Sequence, residues 1–454
     1  MAVDLIVKNG TIVSPAASRR GHLVIQRGRV LEILVRDDLP AAARTIDATG
    51  LHVLPGLIDP HVHFRVPGLD YKEDFSTGSQ AAAAGGITTV IDMPNTNPLT
   101  SSVEGFHAKV ACARGVSYVD FGLYAVIVEG NGREILPLAD AGVVGYKVFM
   151  GETVGNVPAP QDGEIIDAWR IVAQTGLRCG VHAEDNGIIL YLRKKLQDAG
   201  RTDPLAHLES RPSVAEAEAI SRAILFAREA KSKLMIYHMS AAEGVDLVRR
   251  GKDSGVDVTG ETTPHYLLME GQDMVRMNLG SMLKINPPVR SREHAEALWR
   301  GLLDGTIEVL GTDHSPHTRD EKMFDDRMGD IWKAAAGWPG VETNVPLMLT
   351  QVNAGRMTLN HYVKVQAEGA ARAWNLWPRK GHLGRGADGD VTIVDMTKDG
   401  TIDQDRLHSK NKLTPFHGFK VKGLPVYTIV RGQVVMEGGE IVGKPRGELQ
   451  TPAV

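Results

Sequence analysis

Leu51-His52-Val53-Leu54-Pro55-Gly56-Leu57-Ile58-Asp59-Pro60-His61-Val62-His63-Phe64-Arg65 is an apolar run that ends abruptly in charged and imidazole groups. A short apolar run of this kind reads as a buried strand. Side chains two apart on a strand point the same way, so His61 and His63 project together. Two imidazoles at a strand end suit a borderline divalent cation such as Zn²⁺. Alone the pair is a weak signal, because a single buried histidine is more often a hydrogen-bonded core residue. It gains weight from three other strand ends. His182 closes Cys179-Gly180-Val181, His238 follows Leu234-Met235-Ile236-Tyr237, and Asp313-His314 follows Glu308-Val309-Leu310 after Gly311-Thr312.

Working outward, Thr88–Ile91, Val119–Phe121, Gly145–Phe149 and Asp257–Thr259 add further short apolar strands, and Ala- and Leu-rich helical stretches such as Ala215–Lys231 alternate with them. Strand-helix alternation over this span favours a parallel α/β architecture. Polar residues at the ends of many different strands favour a closed (β/α)8 TIM-type barrel over an open sheet, because barrel active sites are assembled from several strand ends. The absence of a Gly-rich dinucleotide or phosphate loop after the first strand of the block agrees. Both chain termini are β-rich. Leu5–Val13 carries β-branched runs on either side of Asn9-Gly10 and reads as a hairpin. Thr428–Val435 repeats the design around Arg431-Gly432, with Gly438-Gly439 as a following turn. A small β-sandwich assembled from both termini is expected, with residues 1–54 and 380–454 flanking a barrel at 55–379.

Bulk properties narrow the class. The chain has 454 residues, 43% hydrophobic and 23% charged, so it has enough apolar residues for a sizeable core. A net charge of -4 without blocks of like charge gives no support for a nucleic-acid partner. Two cysteines, Cys112 and Cys179, fit a reducing compartment. No apolar stretch is long enough to span a bilayer, and Met1–Ile6 lacks the look of a secretory signal, so a soluble cytoplasmic protein without membrane partner is expected. A serine or cysteine nucleophile is disfavoured, since neither cysteine lies in a strand-end motif and no Gly-x-Ser-x-Gly elbow occurs.

At this point the sequence resembles the cyclic amidohydrolases, the group of dihydroorotase, allantoinase and the hydantoinases, along nearly its whole length. Pro55–His63 resembles their first metal-binding strand, and Gly85-Gly86-Ile87-Thr88-Thr89 with Asp92–Thr96 their second. Gly145-Tyr146-Lys147, His182-Ala183-Glu184, His238-Met239-Ser240 and Thr312–Pro316 resemble the remaining ligand strands, and Gly381–Asp390 the return to the β-domain. The resemblance implies two divalent cations per chain, expected to be Zn²⁺. His61, His63, Lys147 and Asp313 would hold one; Lys147, carboxylated by CO₂, His182 and His238 would hold the other. An ordinary lysine is a poor fit to a cationic site, whereas an N-carboxylate is an anionic bridging ligand. Coordination lowers the pKa of water from 15.7 toward about 7, so a hydroxide shared by two cations is available at neutral pH. Asp313 would both ligate and carry the proton to the departing nitrogen. Glu184, Asp185, Ser240 and His314 would orient imidazoles, and His265 would be structural or supporting.

The resemblance implies a small cyclic amide as substrate. Arg65, two residues beyond His63, is placed to pair with a substrate carboxylate. Asn95, Asn286 and His317 would add polar contacts. With Lys72-Glu73-Asp74 this set resembles dihydroorotase, which makes dihydroorotate-like ring opening the leading expectation. Other stretches, Gly329–Ala334 and Gly340–Asn344, resemble hydantoinases and allantoinases, and a five-membered ureide ring is the alternative. Val148–Thr153 lacks the tyrosine that D-selective hydantoinases place there. A metal-free scaffold is the alternative from another class, and the resemblance also implies a homo-oligomer, a dimer or tetramer.

Overall fold

The computed structural model describes residues 2–151 and 157–453. The first five strands are β1 (Val3–Val13), β2 (Ser18–Gln26), β3 (Arg29–Leu34), β4 (Ala42–Asp47) and β5 (His52–Pro55). Eight more follow in alternation with helices: β6 (Leu57–Val62), β7 (Ile87–Asp92), β8 (Asp120–Val126), β9 (Gly145–Phe149), β10 (Arg178–His182), β11 (Lys233–Ile236), β12 (Val258–Thr262) and β13 (Ile307–Leu310). The chain ends with β14 (Val391–Thr401), β15 (Lys420–Val430), β16 (Gln433–Glu437) and β17 (Glu440–Ile441).

Strands β6 to β13 pair in chain order, each parallel to the next. The ring is closed by the segment just past β13. His63 N–H donates to His314 O at 2.8 Å, and His314 N–H donates to His61 O at 3.2 Å. Nearly every strand residue is buried, as a parallel barrel wrapped in helices requires. One end of the interior is plugged by apolar side chains, among them Ile58, Ile91, Tyr124, Met235, Tyr237 and Trp374. The rings of Tyr237 and Trp374 stack at 5.8 Å. Position 180 has to be glycine, because a Cβ there would lie 1.9 Å from the Tyr237 ring. The plug fills the barrel below and leaves the carboxyl ends of the strands as the open end.

The terminal strands form one mixed sheet in the order β17-β16-β15-β14-β5-β1-β2-β3, with β4 also paired to β1. Both chain ends therefore build the same small β-unit, with a core around Leu5, Leu23, Ile25, Val53, Ile393 and Ile429. The two Arg-Gly pairs make its tight turns. Arg27-Gly28 joins β2 to β3 and Arg431-Gly432 joins β15 to β16, all four residues at positive φ. Asn9-Gly10 does something else. The sequence suggests a hairpin there, but β1 runs straight through, with a bulge between Val7 and Gly10. Asn9 takes φ 63°, its N–H donates to His22 Nδ1 and its amide donates to Asp47. A Cβ on Gly10 would meet Val53 at 2.5 Å. Paired strands on both sides of β1 hold it extended, so the left-handed preference is used for a bulge.

A buried charge network joins sheet to barrel. Lys380 Nζ lies 2.7 Å from Asp120 at the start of β8, 2.5 Å from Asp390 and 3.1 Å from Asp388. Arg431 also donates to Asp120. Burial opposes the Lys380 charge, but the three carboxylates outweigh it and raise its pKa.

Candidate metal centre

The open end of the barrel brings together side chains that lie far apart in sequence. His61, His63, Lys147, His182, His238 and Asp313 line one cavity with Arg65, Asn95 and Asn286. Ligand atoms of His61, His63 and Asp313 all lie within 4.8 Å of one another. Asp313 Oδ1 is 3.1 Å from His63 Nε2 and 3.3 Å from His61 Nε2. A second pair faces across the cavity, with His182 Nδ1 and His238 Nε2 at 3.1 Å. The two sets adjoin, since the His61 and His238 ring centroids are 5.2 Å apart.

Local backbone aims these groups. His61 and Lys147 lie on β6 and β9, and His182 ends β10. His238 and Asp313 lie just past β11 and β13 and take φ 39° and 49°; Arg65 takes 65°. Left-handed conformations in non-glycine residues cost of order 1–3 kcal/mol each and concentrate at functional sites. The chain does not stay extended after His63; the turn at Arg65 brings its side chain to the cavity.

Three of the four imidazoles are held from behind. His61 Nδ1 lies 2.7 Å from Glu261 Oε1, His63 Nδ1 donates to Asn95 Oδ1 at 2.7 Å, and His182 Nε2 lies 3.0 Å from Glu184 Oε2. In each case the other ring nitrogen is left facing the centre, the arrangement that fixes tautomer and ring angle in metal sites. Burial first, then neighbouring cationic groups, drives His61, His63 and His238 well below the ordinary histidine range, so their rings are neutral, as ligands must be. Burial also pushes Asp313 up to about 7, against the pull of Lys147 and Arg65. It brings Lys147 down to about 7, against Glu261 and Asp313. Among the described residues Lys147 has no hydrogen bond or ion pair; its Nζ rests 3.8 Å over the Tyr237 ring and 5.1 Å over Phe149. His238 Nδ1 is buried without a partner. Neutral imidazoles, inward-facing nitrogens, a shared carboxylate and an unpartnered lysine fit a pair of divalent cations.

The other sequence candidates divide. Arg65 is buried, with an unpartnered Nε, and donates to Ser315 Oγ at 3.1 Å. No carboxylate lies within ion-pair distance of it among the described residues. Asn286 reaches the cavity with a buried Oδ1 that has no partner among the described residues. Asn95 lines the cavity too, but its oxygen is committed to His63. His317 does not line that cavity: it sits behind Arg65 at 3.4 Å, near Ala336 O and Glu321. Of the four groups expected behind imidazoles, only Glu184 is there. Asp185 caps the helix Asn186–Asp198, Ser240 pairs with Glu216, and His314 accepts from the N–H groups of Gly340 and Val341. His265 is held by Thr263 and packs on Trp338, with burial lowering it to about 3. Glu152 and Thr153 lie outside the described residues. The sequence reading passed over Glu261 and Asp59. Asp59 accepts from Thr312 and the His61 N–H, bracing β6 against the segment that bears Asp313.

A model of the amidohydrolase family matches residues 52–435, nearly the whole barrel and its return into the terminal sheet. The chain belongs to the amidohydrolase family. Members of this family are metal-dependent, in keeping with the centre above. The relatives it resembles are cyclic amidohydrolases. An L-hydantoinase of Paenarthrobacter aurescens is 40% identical over 97% of this chain and 96% of its own length. An allantoinase of Deinococcus radiodurans is 37% identical, covering 100% and 99%. A dihydroorotase of Methanothermobacter thermautotrophicus is 38% identical, covering 97% and 93%. Among solved structures, an L-hydantoinase from Arthrobacter aurescens superposes with a TM-score of 0.96 at 39% identity, covering 99% of this chain and 100% of that one. Among the described residues, no helix is long and apolar enough to cross a membrane.

Proposed function

We propose that this amidohydrolase opens a cyclic amide ring that carries an anionic group, a dihydroorotate-like substrate, with two zinc ions per chain. The observation that carries the reading is Arg65: a buried guanidinium beside the histidine cluster, with an unpartnered Nε and no carboxylate of its own. A buried cation without a counterion is costly, and a substrate carboxylate would supply one.

His61, His63, Asp313 and Lys147 would hold one cation, and Lys147, His182 and His238 the other. Bound there, the cations supply a Lewis acid for the ring carbonyl and lower the pKa of water toward about 7. Lys147 would join them after its amine adds to CO₂, forming an N–C bond and losing a proton. That change converts a cation with no partner into an anion among inward-facing ligands. Asp313 Oδ1 accepts the proton of the attacking water and returns it to the ring nitrogen as the C–N bond breaks. Asn286, at the cavity wall, is placed to hydrogen-bond the ring.

The comparisons favour a second reading, a hydantoin or allantoin ring, since an L-hydantoinase is the structural neighbour at TM-score 0.96. One screen separates the two. Zinc-loaded protein is assayed against dihydroorotate, allantoin, dihydrouracil and substituted hydantoins, with elemental analysis alongside. The leading reading expects two metals per chain and highest kcat/KM on dihydroorotate. Preference for an uncharged ring would replace it with the second reading, and protein with well under one metal per chain and no turnover would revive the scaffold alternative.

A further inference from the structure

A hairpin connection usually takes about two to five residues. The one between β14 and β15 takes residues 402–419, although its two ends meet, with Ile402 N–H donating to Phe419 O at 2.9 Å. Leu407, Leu413 and Phe416 are buried along it, and the rings of Phe416 and Phe419 meet edge to face at 5.3 Å. His408 ties it to the first turn of the helix Val341–Asn353: its N–H donates to Glu342 at 2.7 Å and its Nδ1 lies 2.9 Å from the same carboxylate. The next three residues all turn to one place, the loop between Arg65 and the helix Phe75–Ala84. Ser409 Oγ donates to Glu73, and Lys410 N–H does so at 3.3 Å. Lys410 Nζ donates to Asp70 O at 2.6 Å and Asp74 Oδ2 at 2.5 Å. Asn411 Nδ2 donates to Lys72 O at 2.5 Å and Tyr71 O at 3.3 Å. Every residue from Asp70 to Asp74 is thus gripped by this strap. Glu73 is fully buried and has no lysine or arginine partner among the described residues, so the strap supplies donors that a buried carboxylate needs.

The other end of the same loop presents Arg65. Arg65 O accepts from Leu69 N–H at 3.2 Å, and Leu69 O accepts from Lys72 N–H at 2.9 Å. Lys72 Nζ lies 3.3 Å from His317 Nδ1, and the far side of that ring stands 3.4 Å from the Arg65 guanidinium. Contacts therefore run without a gap from the strap to the guanidinium. They answer a physical need, because Arg65 sits at φ 65°, and a non-glycine residue keeps such a conformation only where its surroundings impose it. We propose that Ser409, Lys410 and Asn411 are positioning residues: reaching over from the terminal sheet, they fix the turn that presents Arg65 to the cavity. This rests on the proposed function for what Arg65 meets there, but not for the grip on the loop.

Lys410 is exposed and Asn411 half-buried, so combining Lys410→Met with Asn411→Ala removes the grip without emptying the core. KM for dihydroorotate is expected to rise about three- to tenfold in this double variant, the worth of the lost hydrogen bonds. Metal content and kcat stay unchanged, because the strand ends are untouched and only binding is weakened. KM for an uncharged hydantoin stays level, and Lys410→Arg alone, which keeps the cation, behaves as wild type. In an Arg65→Met background the two strap substitutions add nothing further, as residues acting through one group require. A purely structural role would raise both KM values alike and add to the effect of R65M. That result, or an unchanged KM for dihydroorotate, would overturn the assignment. If dihydroorotate is not turned over, the proposed function falls and hydrogen exchange of the Leu69 and Lys72 amides decides alone. Exchange at least about threefold faster in the double variant keeps the positioning role, and equal exchange removes it.

Discussion

Replacing Arg65 by methionine removes one guanidinium and keeps most of the side-chain volume, so the test is of charge and not of packing. The residue is 1% exposed and 3.1 Å from Ser315 Oγ, with His317 at 3.4 Å and no ion-pair partner among the described residues. Burial lowers its pKa only to about 10, so it stays charged at neutral pH. A charge-assisted hydrogen bond to a substrate carboxylate is worth roughly 1.5–3 kcal/mol. That converts to a loss of about ten- to a hundredfold in kcat/KM. On an uncharged hydantoin only the shape of the loop is at stake, and the loss is expected to stay within about threefold, a surface-like effect of about 0.5 kcal/mol. Both proteins are assayed on dihydroorotate and on the uncharged ring, with metal content matched by elemental analysis. Equal losses on the two rings would refute the reasoning: Arg65 would then shape the turn after His63, and the anionic-ring preference would lose its support.

Three further outcomes follow from the same geometry. Lys147→Ala should reduce metal content below two per chain and abolish turnover, with partial rescue by short carboxylic acids; full activity in the variant would exclude a bridging lysine. Glu261→Leu should free the His61 ring and weaken zinc retention by about 10–100-fold in chelator competition, the usual effect of removing a group behind a ligand, whereas unchanged retention would reduce Glu261 to a core residue. Lys380→Met leaves three acids facing each other where the terminal sheet meets the barrel, and should destabilise by about 3–5 kcal/mol, read as a lower urea midpoint with unchanged metal content.

The barrel was legible because its strands are short, mostly apolar runs and several of them lead into a His or Asp, which a closed barrel brings to one place. That His61, His63, Lys147, His182, His238 and Asp313 come together was legible for the same reason. What lay beyond reach depended on partners distant in sequence or on backbone chemistry with two outcomes. Asn9-Gly10 satisfies the demands of a hairpin and of a bulge equally, and only the strands flanking β1 decide. Glu261 sits within β12, in a stretch where attention fell on His265; its role appears only when β6, 200 residues earlier, is placed beside it. The left-handed turns at Arg65, His238 and Asp313 carry no glycine to announce them.

The ring was the least legible part, and the architecture gives a physical reason. The groups around the histidine cluster are fixed by what a cation and a hydroxide require, which is common to every cyclic amide. The groups proposed to distinguish one ring from another, Arg65 and Asn286, belong to turns and loops outside the strands. A barrel holds its strand ends rigidly and leaves the loops free to differ. Hydantoinase, allantoinase and dihydroorotase relatives at 37–40% identity are the expected result of that division, since the shared chemistry fills the core and the distinguishing contacts fall to a handful of loop residues. In this chain Arg65 is the charged one of the two, so on the proposed reading the charge on the ring, more than its size, should decide what is turned over.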